Sequence, residues 1–374
     1  MKKYLRWIIC LIAIATICFT YGVSVGHYKL PPYETLQKIK IIFFDKSSDR
    51  NIGVDEELLQ YGFNDPVNTN YLIHPPINTI DKLREVNEKI FIKTSLYKDV
   101  YEKIKINDIQ EIKLKDKNYN IIKITYNIYD KLYSTFAYGS LPQTCNKKIA
   151  SLIIPGSGHN QSEEIISNDS QNYHFGIIDS LNGKVKDIFV FIKPNEDALA
   201  WSNQKKKKVG IDFYVVWHLN RGGSYSVSYL TQSIAFVKWM KSCYKKTILA
   251  GLSQGGRAVL MNALQTRPTL AIVSSGFTTM RSKSLWSGFN QLVGVPGYFD
   301  LMNNYNIYEA LSSSKTSWLF SWGLAENGIY MIEAEKKITA NNIKELKNVN
   351  IAIHDKGHIF PANDIRLFLE KSLP

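Results

Sequence analysis

Short, uninterrupted apolar runs alternate with stretches of helical spacing through the second half of the chain. IASLII (149–154), DIFVFI (187–192), FYVVWH (213–218), TILA (247–250), LAIVSS (270–275), SWLFSW (317–322) and VNIAIH (349–354) read as strands buried on both faces. Between them, Val227, Leu230, Ile234, Val237 and Met240 recur at helical spacing, as do Ala258, Val259, Ala263 and Leu264. Pro268 ends the second of these helices, and Ile365, Phe368 and Leu369 mark a last amphipathic one. Strands alternating with helices predict an α/β fold: a mostly parallel sheet with helices on both faces.

Upstream the pattern changes. Residues 109–141 alternate apolar and polar positions with turn residues between, which predicts antiparallel hairpins. Residues 27–105 are mixed and carry no identifiable chemistry; they read as a membrane-proximal extension. The first 26 residues open with Lys2, Lys3 and Arg6 and then run without charge from 7 to 26. Twenty helical residues span about 30 Å, the thickness of a bilayer's hydrocarbon core. The expected organisation is a signal-anchor transmembrane helix over 1–26, the extension over 27–105, and an α/β domain over 106–374. The basic end would lie in the cytoplasm and the domain on the periplasmic or extracytoplasmic side.

Composition narrows the field. The chain has 374 residues, 45% of them apolar, which suits a folded protein with a large core. Its net charge of +13 raises nucleic acid as a partner, but no zinc-ligand spacing, basic zipper or aromatic RNA-binding motif accompanies it. The lysine run at 205–208 reads as a solvated loop. Of four cysteines, Cys10 and Cys18 fall in the apolar segment, and neither follows a small residue as a lipoprotein signal requires. Cys145 and Cys243 remain, able to pair in an oxidising compartment; there is no Cys-x-x-Cys to suggest zinc or redox chemistry.

The chemistry centres on GLSQG (251–255), placed between the strand TILA and a helix. A serine on a tight strand-to-helix turn has its hydroxyl exposed above the sheet, and flanking glycines avoid collision with the adjoining elements. Three more stretches follow in order: IIPGSGHN (153–160), SWLFSWGLAEN (317–327) and IAIHDKGHIFP (351–361). From about residue 105 onward the chain resembles the α/β-hydrolase superfamily. The resemblance implies Ser253 as nucleophile, Glu326 as the acid and His358 as the base. It also implies an oxyanion hole from the backbone N–H of Gln254 with that of Ser157 or Gly158. Pro155 stands where the family's oxyanion loop often has histidine. Asp300 and Asp355 are the substitutes for Glu326, and His354 is the lesser candidate for the base.

Two stretches could shape the mouth of such a site: 194–210, and a cap-like insertion at 276–306 with Phe277, Trp286, Phe289, Tyr298 and Phe299. His218, Asn220 and Arg221 end a strand nearby, with no assigned role. The expected activity is that of a membrane-anchored serine hydrolase of the bacterial envelope. It would cleave a small or polymer-borne carboxylic ester through an acyl-enzyme, with no metal or organic cofactor. A peptidase or amidase with the same triad, and a catalytically silent binding protein of this fold, are the alternatives.

Overall fold

The structure is a computed structural model that describes residues 100–114, 117–128, 131–145, 148–196, 225–277, 304–326, 340–341 and 343–373, with residues 16, 20 and 21. The chain divides into two compact units, Met1–Ile52 and Gly53–Pro374. In the first, the three described residues are helical, and the Thr20 hydroxyl donates to the Thr16 carbonyl. Otherwise the expected transmembrane segment lies outside the described residues. Among those, no helix is long and apolar enough to cross a membrane.

The second unit is built on one nine-stranded sheet in the order β1-β2-β3-β5-β4-β6-β7-β8-β9. Strands β1 (Lys105–Ile112), β2 (Asn120–Ile128) and β3 (Lys131–Gly139) form the expected antiparallel meander. Strand β3 then pairs antiparallel with β5 (Asp187–Ile192). From β5 through β4 (Ile149–Ile154), β6 (Lys246–Leu252), β7 (Leu270–Ser274), β8 (Ser317–Gly323) and β9 (Val349–His354), every pairing is parallel. Each of these parallel strands matches an apolar run in the sequence. FYVVWH lies outside the described residues.

Seven helices are described: α1 (Val100–Lys103), α2 (Gln161–Ile166), α3 (Ile177–Leu181), α4 (Tyr225–Cys243), α5 (Gln254–Thr266), α6 (Asn304–Ser312) and α7 (Ala362–Ser372). Helix α4 departs from the expected single apolar face. It is buried almost all round, Thr231, Gln232 and Ser233 included, because it packs on the sheet as well as on α1 and α5. Its Phe236 and Trp239 meet Phe189 of β5 edge-on, with ring centres 5.5 and 5.3 Å apart. Each such fully buried apolar side chain contributes roughly 1.5–3 kcal/mol. In α7, Ile365, Phe368 and Leu369 are the buried residues, as the spacing predicts. Val100 and Ile104 are also buried, against Tyr126, Ile128 and Ile234.

Cys145 and Cys243 form a disulfide that ties the segment after β3 to the end of α4. Phe277, at the start of the cap-like insertion, packs into the core against Phe320 and accepts a 2.7 Å hydrogen bond from Trp322 Nε1 at its carbonyl. The insertion's other aromatics, together with Asp300, His218, Asn220 and Arg221, lie outside the described residues.

The order of strands positions the site. Strand β4 sits between β5 and β6, so the chain reverses its direction of travel across the sheet there. Loops leaving the carboxyl ends of β4 and β6 diverge, and the crevice between them is where open α/β sheets bind ligands.

Candidate active site

Ser253 follows β6 directly, at φ 60° and ψ −123°. A non-glycine residue held there costs about 1–3 kcal/mol, so its surroundings must over-determine it. Its N–H donates to the Ser274 carbonyl at 2.9 Å, and its own carbonyl accepts from Arg257 N–H at 3.1 Å. A Cβ on Gly251 would overlap the backbone of Gly255, and one on Gly255 would overlap the Ile154 carbonyl of β4. The two glycines of the motif therefore let β6, α5 and β4 approach closely enough to make the turn. A third, Gly276, is equally crowded, by Arg257 N and Ser253 O.

Gly255→Ala should accordingly lower the melting temperature sharply and abolish activity. Gly183→Ala is the control: it meets no atom within 4 Å and has only its φ of +93° to accommodate. That left-handed conformation costs about 1–2 kcal/mol. Thermal melts of both variants check this; equal melting temperatures would contradict the packing argument.

The acid and base candidates come together. His358 Nδ1 lies 3.4 Å from Glu326 Oε1, and the Glu326 carboxylate is buried. Their loops are fastened backbone to backbone: Leu324 N–H donates to His354 O at 2.8 Å, and Ala325 N–H to Lys356 O at 3.2 Å. Gly323 permits this, since a Cβ there would overlap the carbonyls of Lys356 and Gly357. The Ser275 hydroxyl donates to Glu326 Oε1. Ser275 therefore links the acid to the elbow, whose Ser253 is bonded to the neighbouring Ser274. Asp355 is exposed on the loop after β9. His354 ends β9 half-buried, and burial lowers its pKa despite the nearby Glu326.

Ser253, Glu326 and His358 thus stand at the carboxyl ends of β6, β8 and β9, on one edge of the sheet. The Ser253 hydroxyl is not hydrogen-bonded to His358. Such catalytic hydrogen bonds commonly tighten only once substrate is bound.

The loop after β4 is held at every peptide. Pro155 O accepts from Tyr229 at 3.5 Å, Gly156 N–H donates to His174 Nε2 at 2.8 Å, and Ser157 O accepts from Tyr173 at 3.0 Å. The Lys193 ammonium donates to the carbonyls of Gly156 and Gly158, the latter at 2.9 Å. The N–H groups of Ser157 and Gly158 have no acceptor among the described residues. That leaves them available to a developing oxyanion. Gln254 begins α5, one residue after Ser253.

These four holding residues, Tyr229, Tyr173, His174 and Lys193, were not legible as site residues in the sequence. His174 reaches the loop from a turn eighteen residues downstream of Gly156, whose N–H its Nε2 accepts. Its Nδ1–H donates to Asn172 Oδ1 at 2.8 Å, so Nε2 is the acceptor and the ring is neutral. Burial first, then Lys193 and His358, holds its pKa well below the usual histidine value. Tyr173 stacks on His358, with ring centres 5.6 Å apart. Lys193 is buried beside Glu196 at 3.4 Å; burial lowers the lysine's pKa and the carboxylate pulls it back up. A lysine closing an apolar strand, as in DIFVFIK, was the one signal available.

No protein-family model matches the chain, and no curated protein matches it in sequence. Solved structures match it in fold. A candidate acetyl xylan esterase of Bacteroides fragilis is similar to it with a TM-score of 0.51 at 12% identity, over 85% of this chain and 93% of that one. A methylesterase, BT1017, is similar with a TM-score of 0.50 at 12% identity, over 77% of this chain and 62% of that one. With the parallel sheet and the strained turn after β6, these likenesses identify the chain as having the α/β-hydrolase fold.

Proposed function

We propose that the protein is a serine hydrolase that cleaves carboxylic esters. The observation that carries this is the strained Ser253 turn on the same sheet edge as a Glu326–His358 pair 3.4 Å apart. With Nδ1–H of His358 directed to Glu326, Nε2 is left to take the Ser253 proton as the hydroxyl attacks the ester carbonyl. The buried carboxylate fixes that tautomer and stabilises the imidazolium that forms. The N–H groups of Gln254 and of Ser157 or Gly158 receive the oxyanion. His358 then protonates the departing alcohol, and water activated by the same ring releases the acid from Ser253.

The same triad serves an amidase. The ester reading is favoured because both similar structures reported above are described as esterases. An extracytoplasmic, membrane-anchored domain is part of this reading; the apolar residues 7–26 and the Cys145–Cys243 disulfide, a bond characteristic of oxidising compartments, support it. A panel of p-nitrophenyl esters against peptide anilides tests the substrate class. Turnover of short acyl esters with kcat/KM at least about 100-fold above any anilide is expected, a gap of roughly 2.7 kcal/mol in barrier. The reverse ranking would make the protein an amidase.

A further inference from the structure

Resting on that reading, we propose that Lys193 is a positioning residue that sets the direction of the Ser157 N–H as an oxyanion-hole donor. In a trans peptide the carbonyl and the N–H point in opposite directions. The carbonyl of Gly156 is bound by the Lys193 ammonium, so the Ser157 N–H of the same peptide points away from it. Lys193 has no exposed surface, whereas Ser157 is exposed. The same ammonium takes the Gly158 carbonyl, so one cation holds two peptides of the loop, while Tyr173 holds the one between them, which carries the Gly158 N–H, at the Ser157 carbonyl.

The cation is itself held. Glu196 lies 3.4 Å away and donates its N–H to the Lys193 carbonyl at 3.0 Å, closing a turn at the end of β5. That turn is fastened by Tyr225, which donates to Asn195 Oδ1 at 2.6 Å, and by a 3.2 Å contact between His159 Nδ1 and Asn195 O. A fully buried ion pair is weak evidence for a stabilising role, because removing both charges together is often neutral. Its placement against two carbonyls of the oxyanion loop gives it a catalytic reason to exist.

The test is the double variant Lys193→Met/Glu196→Gln, which leaves no unpaired buried charge. With p-nitrophenyl acetate, kcat should fall about 100-fold or more, as when one oxyanion donor is removed, while KM stays within about threefold. The Ki of a trifluoromethyl ketone, which forms a tetrahedral adduct, should rise by the factor that kcat/KM loses. A purely structural role would lower the melting temperature without that parallel. Lys193→Gln, whose amide can still reach one carbonyl, serves as the second variant and should fall between wild type and the double. A wild-type kcat in either folded variant overturns the proposal. Full activity in Ser253→Ala would instead sink the hydrolase reading itself, so the two failures are distinguishable.

Discussion

Replacing Ser253 by alanine should lower kcat on a p-nitrophenyl ester by about 10⁴-fold or more, the loss seen when a serine nucleophile is removed from a working triad. His358→Ala should lose nearly as much, and the double variant little more, because nucleophile and base act as a unit. The melting temperature of Ser253→Ala should stay within about 2 °C of wild type, since only a hydroxyl is deleted. The positive φ at residue 253 is imposed by Gly251, Gly255 and the Ser274 carbonyl, which alanine leaves in place. Glu326→Gln should fall by roughly 10³–10⁴-fold, because an amide that donates toward Nδ1 selects the wrong tautomer. Steady-state kinetics on purified variants, beside thermal melts, check all three. Retained activity in any folded variant would remove that residue from the mechanism.

The second large effect concerns stability. Cys145 and Cys243 are 98 residues apart in sequence, and closing a loop of that size removes unfolded-state entropy worth about 4.7 kcal/mol. Domains are stable by only about 5–15 kcal/mol, so reduction, or Cys145→Ser/Cys243→Ser, should remove a large share of the total. Urea unfolding should show a lower midpoint in the double serine variant. The bond joins the segment leaving β3 to the end of α4, just before β4 and β6 begin. Equal urea midpoints with and without the bond would contradict this prediction.

Much of this architecture was legible because parallel strands buried on both faces have few ways to be written. TILA, LAIVSS, SWLFSW and VNIAIH are all apolar runs between helical spacings, and each became a strand. The elbow was legible for a related reason. Its glycines are dictated by backbone contact between consecutive elements, β6 and α5, and not by distant partners. Helix α4 misled the periodicity because burial on every side erases the polar face that helical spacing depends on. The holding residues were hidden more deeply. Nothing near His174 in the chain says that its ring will accept the Gly156 N–H. Lys193 resembles any strand-ending lysine until the β4 loop is folded over it. Ser275 reaches Glu326 across β7 and β8. Such contacts are set by the order of strands, and a single sequence does not print that order.

The most direct measurement is mass analysis of the intact protein and its peptides after treatment with a fluorophosphonate. One adduct is expected, on the peptide bearing Ser253, formed far more slowly in His358→Ala and absent in Ser253→Ala. Folded wild-type protein that takes no label, or takes it on another residue, would contradict the assignment of Ser253 as the nucleophile.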